Sequence, residues 1–155
     1  MTLRDIETLL ADHPEFHHFS ATERSRLAEC AREERYAAGT TIFNEDDPAD
    51  AVFLLLDGEV EVVNSLPGQP PVVFERLGAG DMLGWAWLVP PFRRLSDALA
   101  RTDVKAVALD APRVRELCNA HPEMGYRLYQ TWIPHMVERF RAQRTRILEF
   151  HAGTS

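Results

Sequence analysis

Residues 83–96, Leu-Gly-Trp-Ala-Trp-Leu-Val-Pro-Pro-Phe-Arg-Arg-Leu-Ser, place two indoles, a phenyl ring and two adjacent guanidiniums in one connection that opens on a glycine. A long connection without turn grammar is usually functional in a compact domain, and a guanidinium offers an anion a planar two-donor fork. That chemistry is binding, not bond making. The candidate ligand contacts are Gly84, Trp85, Ala86, Arg93, Arg94, Leu95 and Ser96. A helical run from Gly84 puts Trp85 and Trp87 roughly 200° apart, so one indole faces the protein and the other faces solvent or a partner. An exposed Trp-Pro-Pro-Phe surface is a docking patch; a buried one is a plugged pocket.

Other catalytic readings find little support. Ser96-Asp97 has no histidine close by in the sequence, and no acid, base and nucleophile converge on the cassette, so no enzyme is expected. His17-His18 lacks acids or thiols at ligand spacing, and Asn44–Asp50 lacks the glycine and terminal glutamate of a calcium loop. The latter reads as a solvated turn. No metal and no cofactor is expected.

The elements that position the cassette are written in two textures. Leu3, Ile6, Leu9 and Leu10 recur at helical spacing, and Ser20-x-x-Glu23 opens a second helix carrying Leu27, Cys30 and Ala31. From Tyr36 short β-prone runs alternate with turns: TTIF, AVFLLL, EVEVV, PVVFERL and VKAVAL. Asp57-Gly58 predicts a hairpin between the second and third. Asp110 and Pro112 open a helix with Val114, Leu117 and Cys118 on one face, and a longer helix follows Pro122 to about Phe150. The expected fold is α+β, mainly β: a double-stranded β-helix (jelly roll) flanked by N-terminal helices and a long C-terminal helix. Its regions are 1–35 for the N-terminal helices, 36–110 for the β-roll with the cassette at 83–95, and 111–155 for the C-terminal helices.

On the last helix Tyr129, Ile133, Met136, Val137, Phe140, Ile147 and Leu148 form a stripe broken by Arg144. Its spacing fits either a cover for the roll or a two-stranded seam with Ile133, Val137, Phe140, Arg144 and Ile147 at a homodimer interface. Pro134 predicts a kink near Gln130 that separates a packed half from a projecting one.

RYAAGTTIF, DDPADAVFLLLDGEVEVV, LGAGDMLG and the arginine of RRLSDALA, in that order and spacing, resemble the cyclic nucleotide-binding domain, the sensor of catabolite activator protein-like regulators, cyclic nucleotide-dependent kinases and gated channels. The resemblance runs from about residue 16 to 150. GWAWLVPP is similar to a Gly-Trp-x-Trp-Leu-x-Pro-Pro cassette in a subgroup of short bacterial proteins of this type. The resemblance implies that Gly84 opens the phosphate-binding turn and that Arg94 pairs with a cyclic phosphate, with Arg93 the neighbour if the register slips. It also implies an acid after the glycine for the ribose hydroxyls, where this chain has Trp85. An indole donates one hydrogen bond and accepts none, so a ribose hydroxyl left unpaired there costs about 1–3 kcal/mol.

The reading that follows is a non-enzymatic regulatory module that senses a cyclic nucleotide or another small anion. The alternative is a docking protein with a vestigial pocket, its aromatic cassette binding another protein, and with Arg94 paired to a local acid such as Asp97. Residues 1–122 carry 12 basic and 21 acidic side chains, residues 123–155 carry 5 and 3. Clustered positive charge for nucleic acid is absent from that distribution, and the chain stops where a relative's winged helix would begin, so no direct nucleic-acid binding is expected. No apolar run reaches the roughly 18 residues of a membrane span, and no signal peptide opens the chain. Two cysteines without ligand spacing suit free thiols in the cytoplasm.

Overall fold

A computed structural model describes residues 1–153. In chain order it holds α1 (Leu3–Asp12), α2 (Ala21–Glu29), β1 (Ala31–Tyr36), β2 (Thr41–Phe43), β3 (Ala51–Asp57), β4 (Val60–Asn64), β5 (Val72–Leu77) and β6 (Met82–Leu83). A single 3-10 turn, Trp85–Leu88, precedes β7 (Asp97–Ala100), β8 (Val104–Asp110), α3 (Ala111–Ala120) and α4 (Pro122–Gly153). The strands form two antiparallel sheets, ordered β1-β8-β3-β6 and β2-β7-β4-β5. This is the jelly-roll class expected from the spacing of strands and turns.

The unbroken apolar run of β3 has a cause in its two buried faces. Ala51, Phe53 and Leu55 point between the sheets with Val60, Ala98 and Ala106, whereas Val52 and Leu54 point the other way, into a core shared with the helices. β8 alternates in the same manner, Ala106 and Ala108 against Val107 and Leu109. Period-two alternation between two apolar environments reads as continuous hydrophobicity.

Helix starts follow the sequence signals. Thr2 with Asp5 and Ser20 with Glu23 form capping boxes, and Asp110 accepts from Arg113 N–H above Pro112 in the first turn of α3. Other expectations are corrected. α2 ends at Glu29, Cys30 caps it, and Ala31 already opens β1, so the β-region begins before Tyr36. β1 pairs with β8 along its whole length, and that ladder overrides the weak strand character of Ala-Arg-Glu-Glu-Arg-Tyr. Asp57-Gly58 is a turn, with Gly58 at φ +93°, but β3 and β4 belong to different sheets. The turn carries the chain across the roll instead of closing a hairpin, because β8 and β6 already occupy both edges of β3.

α4 runs unbroken through Pro134. Its second half does not project. Arg146 donates to the Phe74 carbonyl at 2.9 Å and Gln143 to Glu75 Oε1 at 2.9 Å, so the helix lies along β5 well beyond the proline. Ile133, Val137, Phe140 and Ile147 remain 43–65% exposed, and Arg144 is exposed beside them. The last two residues of the expected 111–155 region lie outside the described residues.

Candidate functional site

Gly84 stands at φ +99°, the left-handed region that favours glycine, and turns β6 into the 3-10 turn. It also makes room: a Cβ there would lie 2.5 Å from Arg94 Nη1.

Arg94 is 3% exposed. Its Nη2 donates to the Ala51 carbonyl at 2.6 Å and its Nη1 to the Gly84 carbonyl at 3.2 Å, while Nε is buried with no partner. The guanidinium lies 4.0 Å over the centre of the Phe43 ring. Burial pulls its pKa down to about 10, partly offset by Asp50 and Asp47. The group therefore stays charged at neutral pH without a direct carboxylate partner among the described residues. A buried charge without a counter-ion is costly, and an anion from outside would relieve that cost.

The pairing of Arg94 with Asp97 is not found: Asp97 Oδ1 accepts from the Glu45 N–H at 2.6 Å. Arg93 is exposed and donates to the Asp46 carbonyl at 3.2 Å, and of the two arginines only Arg94 lines the pocket. Within Asn44–Asp50, expected as a solvated turn and mostly exposed, the backbone of residues 46–49 also bonds to the cassette. Arg94 N–H donates to the Asp47 carbonyl and Asp46 N–H to the Arg94 carbonyl, both at 2.8 Å, and Ala49 N–H donates to the Phe92 carbonyl at 2.7 Å. On the other side Arg115 of α3 donates to the Trp87 carbonyl at 2.8 Å and lies 4.1 Å over the Phe92 ring.

The two indoles do not diverge as expected. Trp87 is buried and Trp85 half-buried, and both meet Trp132 of α4 edge to face, at 5.2 and 5.6 Å between ring centres. A 3-10 turn has about three residues per turn rather than 3.6, which alters the angular spacing assumed for an α-helix. Phe16 closes the cluster against Trp132 at 5.4 Å. What the cassette leaves exposed is Val89, Pro90, Pro91, Arg93 and Leu95, not an aromatic patch.

Between the roll and α4 lies a pocket of about 270 Å³. Of the candidate ligand contacts, Gly84, Trp85, Ala86, Arg94, Leu95 and Ser96 all line it. Ser96 Oγ donates to Asn64 Oδ1 at 2.5 Å, and the exposed Leu95 offers its carbonyl to Asn64 Nδ2 at 3.0 Å. Sequence reasoning missed Phe43, Val62, Glu75 and Leu83 from the roll and Met136, Arg139 and Gln143 from α4. Phe140, whose stripe fits either a cover for the roll or a dimer seam, also lines it. Their one signal in the sequence was the helical spacing of Met136, Arg139, Phe140 and Gln143, which marks a face of α4 without saying what it covers. Arg139 Nε lies 3.6 Å from Glu75 Oε2, and its guanidinium 5.2 Å over the Trp85 ring. Burial lowers the Arg139 pKa, opposed by Glu75, Glu15 and Asp81.

Among the described residues no group of three His, Cys, Asp or Glu could hold a metal, and no helix is long and apolar enough to cross a membrane. Both cysteines are free.

The family model for the cyclic nucleotide-binding domain matches residues 33–121. A cAMP-dependent protein kinase regulatory subunit of Pyricularia oryzae is 30% identical over 106 residues, 68% of this chain and 26% of that protein. A CRP-like cAMP-activated global transcriptional regulator of Mycobacterium tuberculosis is 26% identical over 113 residues, 71% of this chain and 50% of that protein. The chain thus spans half or less of those relatives. Among solved structures, a cyclic nucleotide-binding domain from Methylobacillus flagellatus superposes with a TM-score of 0.78 at 22% identity, covering 95% of this chain and 83% of that one. The sensor domain of the transcriptional regulator DNR from Pseudomonas aeruginosa gives 0.74 at 16%, covering 90% and 93%. With its match across more than half of the chain, and Gly84 and Arg94 meeting at one pocket, this protein belongs to the cyclic nucleotide-binding domain family.

Proposed function

We propose that the chain is a sensor that acts by binding alone, capturing a small anion, a cyclic nucleotide foremost, on the Arg94 guanidinium. The observation that carries this reading is a 3% exposed arginine lining a pocket, charged at neutral pH and hydrogen-bonded, among the described residues, to backbone carbonyls alone. The relatives named for cAMP activation or cAMP-dependent regulation support the ligand class. Trp85 stands where the family resemblance implies an acid, so the phosphate end is retained and the sugar end is altered.

α4 supplies the output. Ile133, Val137, Phe140 and Ile147, with Arg144 beside them, repeat at three- and four-residue steps on its exposed side and form a homodimer seam in this reading. Phe140 belongs both to that seam and to the pocket wall, which gives occupancy a route to the interface. The free thiols suit a cytoplasmic setting.

The test is calorimetric titration with cyclic AMP and cyclic GMP against the wild type and Arg94→Met. Binding present in the wild type and lost in the variant supports the reading; silence from both nucleotides, or binding indifferent to the substitution, refutes it.

A further inference from the structure

A second set of polar side chains lines the pocket besides the Gly84–Arg94 pair. Glu75 is the one carboxylate among its lining residues, and it comes from β5 rather than from the cassette. α4 holds it in place: Gln143 Nε2 donates to its Oε1 at 2.9 Å, and Arg139 Nε stands 3.6 Å from its Oε2. The two side chains of the pair are 19% and 17% exposed, so both keep contact with the pocket while largely shielded from bulk water. Trp85 supplies a flat wall beside them, with the Arg139 guanidinium over its face.

A carboxylate offers about four lone-pair sites, and two neighbours use only part of that capacity. A guanidinium only donates. Side by side they match a planar edge that carries hydrogen-bond donors next to an acceptor. A guanine edge presents two adjacent N–H groups and a carbonyl oxygen, whereas an adenine edge presents one amino group beside a ring nitrogen. Two parallel bonds to one carboxylate are stronger and more selective than one.

Resting on the anion-capture reading above, we infer that Glu75, oriented by Arg139 and Gln143, is the residue that selects the ligand's ring, and that it favours guanine over adenine. The charge count agrees. Arg139 and Glu75 neutralise each other, which leaves Arg94 as the single unmatched lining charge for one cyclic phosphate. A ring that engages Glu75 also bears on the carboxylate that ties β5 to α4.

The experiment is a set of titrations of cyclic GMP and cyclic AMP into the wild type, Glu75→Gln, Glu75→Ala and Arg94→Met, each first checked for an unaltered melting transition. The expected result is that cyclic GMP binds at least tenfold more tightly than cyclic AMP to the wild type. Both Glu75 variants should narrow that ratio to within threefold, chiefly by weakening cyclic GMP, and Arg94→Met should weaken both nucleotides alike. Arg94-dependent binding with no preference for guanine, or with a preference that survives both Glu75 substitutions, overturns this inference and leaves the anion-capture reading standing. No Arg94-dependent binding of either nucleotide overturns both.

Discussion

Replacing Arg94 by methionine separates a charge kept for a ligand from a structural tie. Burial holds the guanidinium at about 10, well below the ordinary arginine value. At about 1.4 kcal/mol per pH unit, keeping the proton in the folded state at neutral pH costs on the order of 3 kcal/mol. The sign follows from the folded value lying below the unfolded one: the cost is complete at pH 7 and recedes only as pH climbs above about 10 toward the ordinary arginine value. Against it stand the two bonds to the Ala51 and Gly84 carbonyls, each worth about 1.5–3 kcal/mol as a charged hydrogen bond. Methionine removes the penalty and the bonds together, and its unbranched side chain still packs beside Phe43. The two contributions nearly cancel. The unliganded variant should therefore melt within about 4 °C of the wild type, at roughly 2–4 °C per kcal/mol for a chain of this size. Its ligand-induced stabilisation, about 2.7 kcal/mol at a hundredfold excess over Kd, should vanish. Thermal melts with and without cyclic GMP measure both quantities. A fall of more than about 8 °C in the unliganded protein would show that Arg94 is chiefly a strut between β3 and the cassette.

Gly84→Ala forces a side chain into φ +99° and onto Arg94 Nη1, so about 1–3 kcal/mol of stability and at least tenfold of nucleotide affinity should be lost, read by melting and calorimetry. Trp132→Ala empties the meeting point of Phe16, Trp85 and Trp87; a loss of about 3–5 kcal/mol is expected in denaturant unfolding, and a loss under 1 kcal/mol would contradict the packing described. Phe140→Glu should yield monomers in sedimentation velocity; a variant that stays dimeric places the seam elsewhere. Glu23 is desolvated, yet the Arg127 and Ser20 bonds outweigh that and hold its carboxyl below the ordinary 4.5. Its contribution is therefore present above pH 4.5 and lost as pH falls through the lowered folded value, so wild type and Glu23→Gln should differ in stability at pH 7 and converge in strong acid.

Much of the frame was legible in the residues themselves, because local rules acted without competition. The capping box at Ser20, the cap at Asp110 and the glycine ahead of the 3-10 turn act within a few residues, and the order of strands and turns carried the family resemblance with Gly84 and Arg94 in it. Tertiary structure decided what depends on distant partners. β8 recruits Ala31–Tyr36 into a ladder that its composition does not announce, and the sheet assignment turns Asp57-Gly58 from a hairpin into a crossing. Trp132, 45 residues beyond Trp87, draws both cassette indoles inward, where a helical wheel sent one outward. The second polar set in the pocket is the strongest case, since Glu75 and Arg139 are 64 residues apart in the chain and meet only because α4 lies along β5. Periodicity identifies which face of an element is buried; only packing says against what.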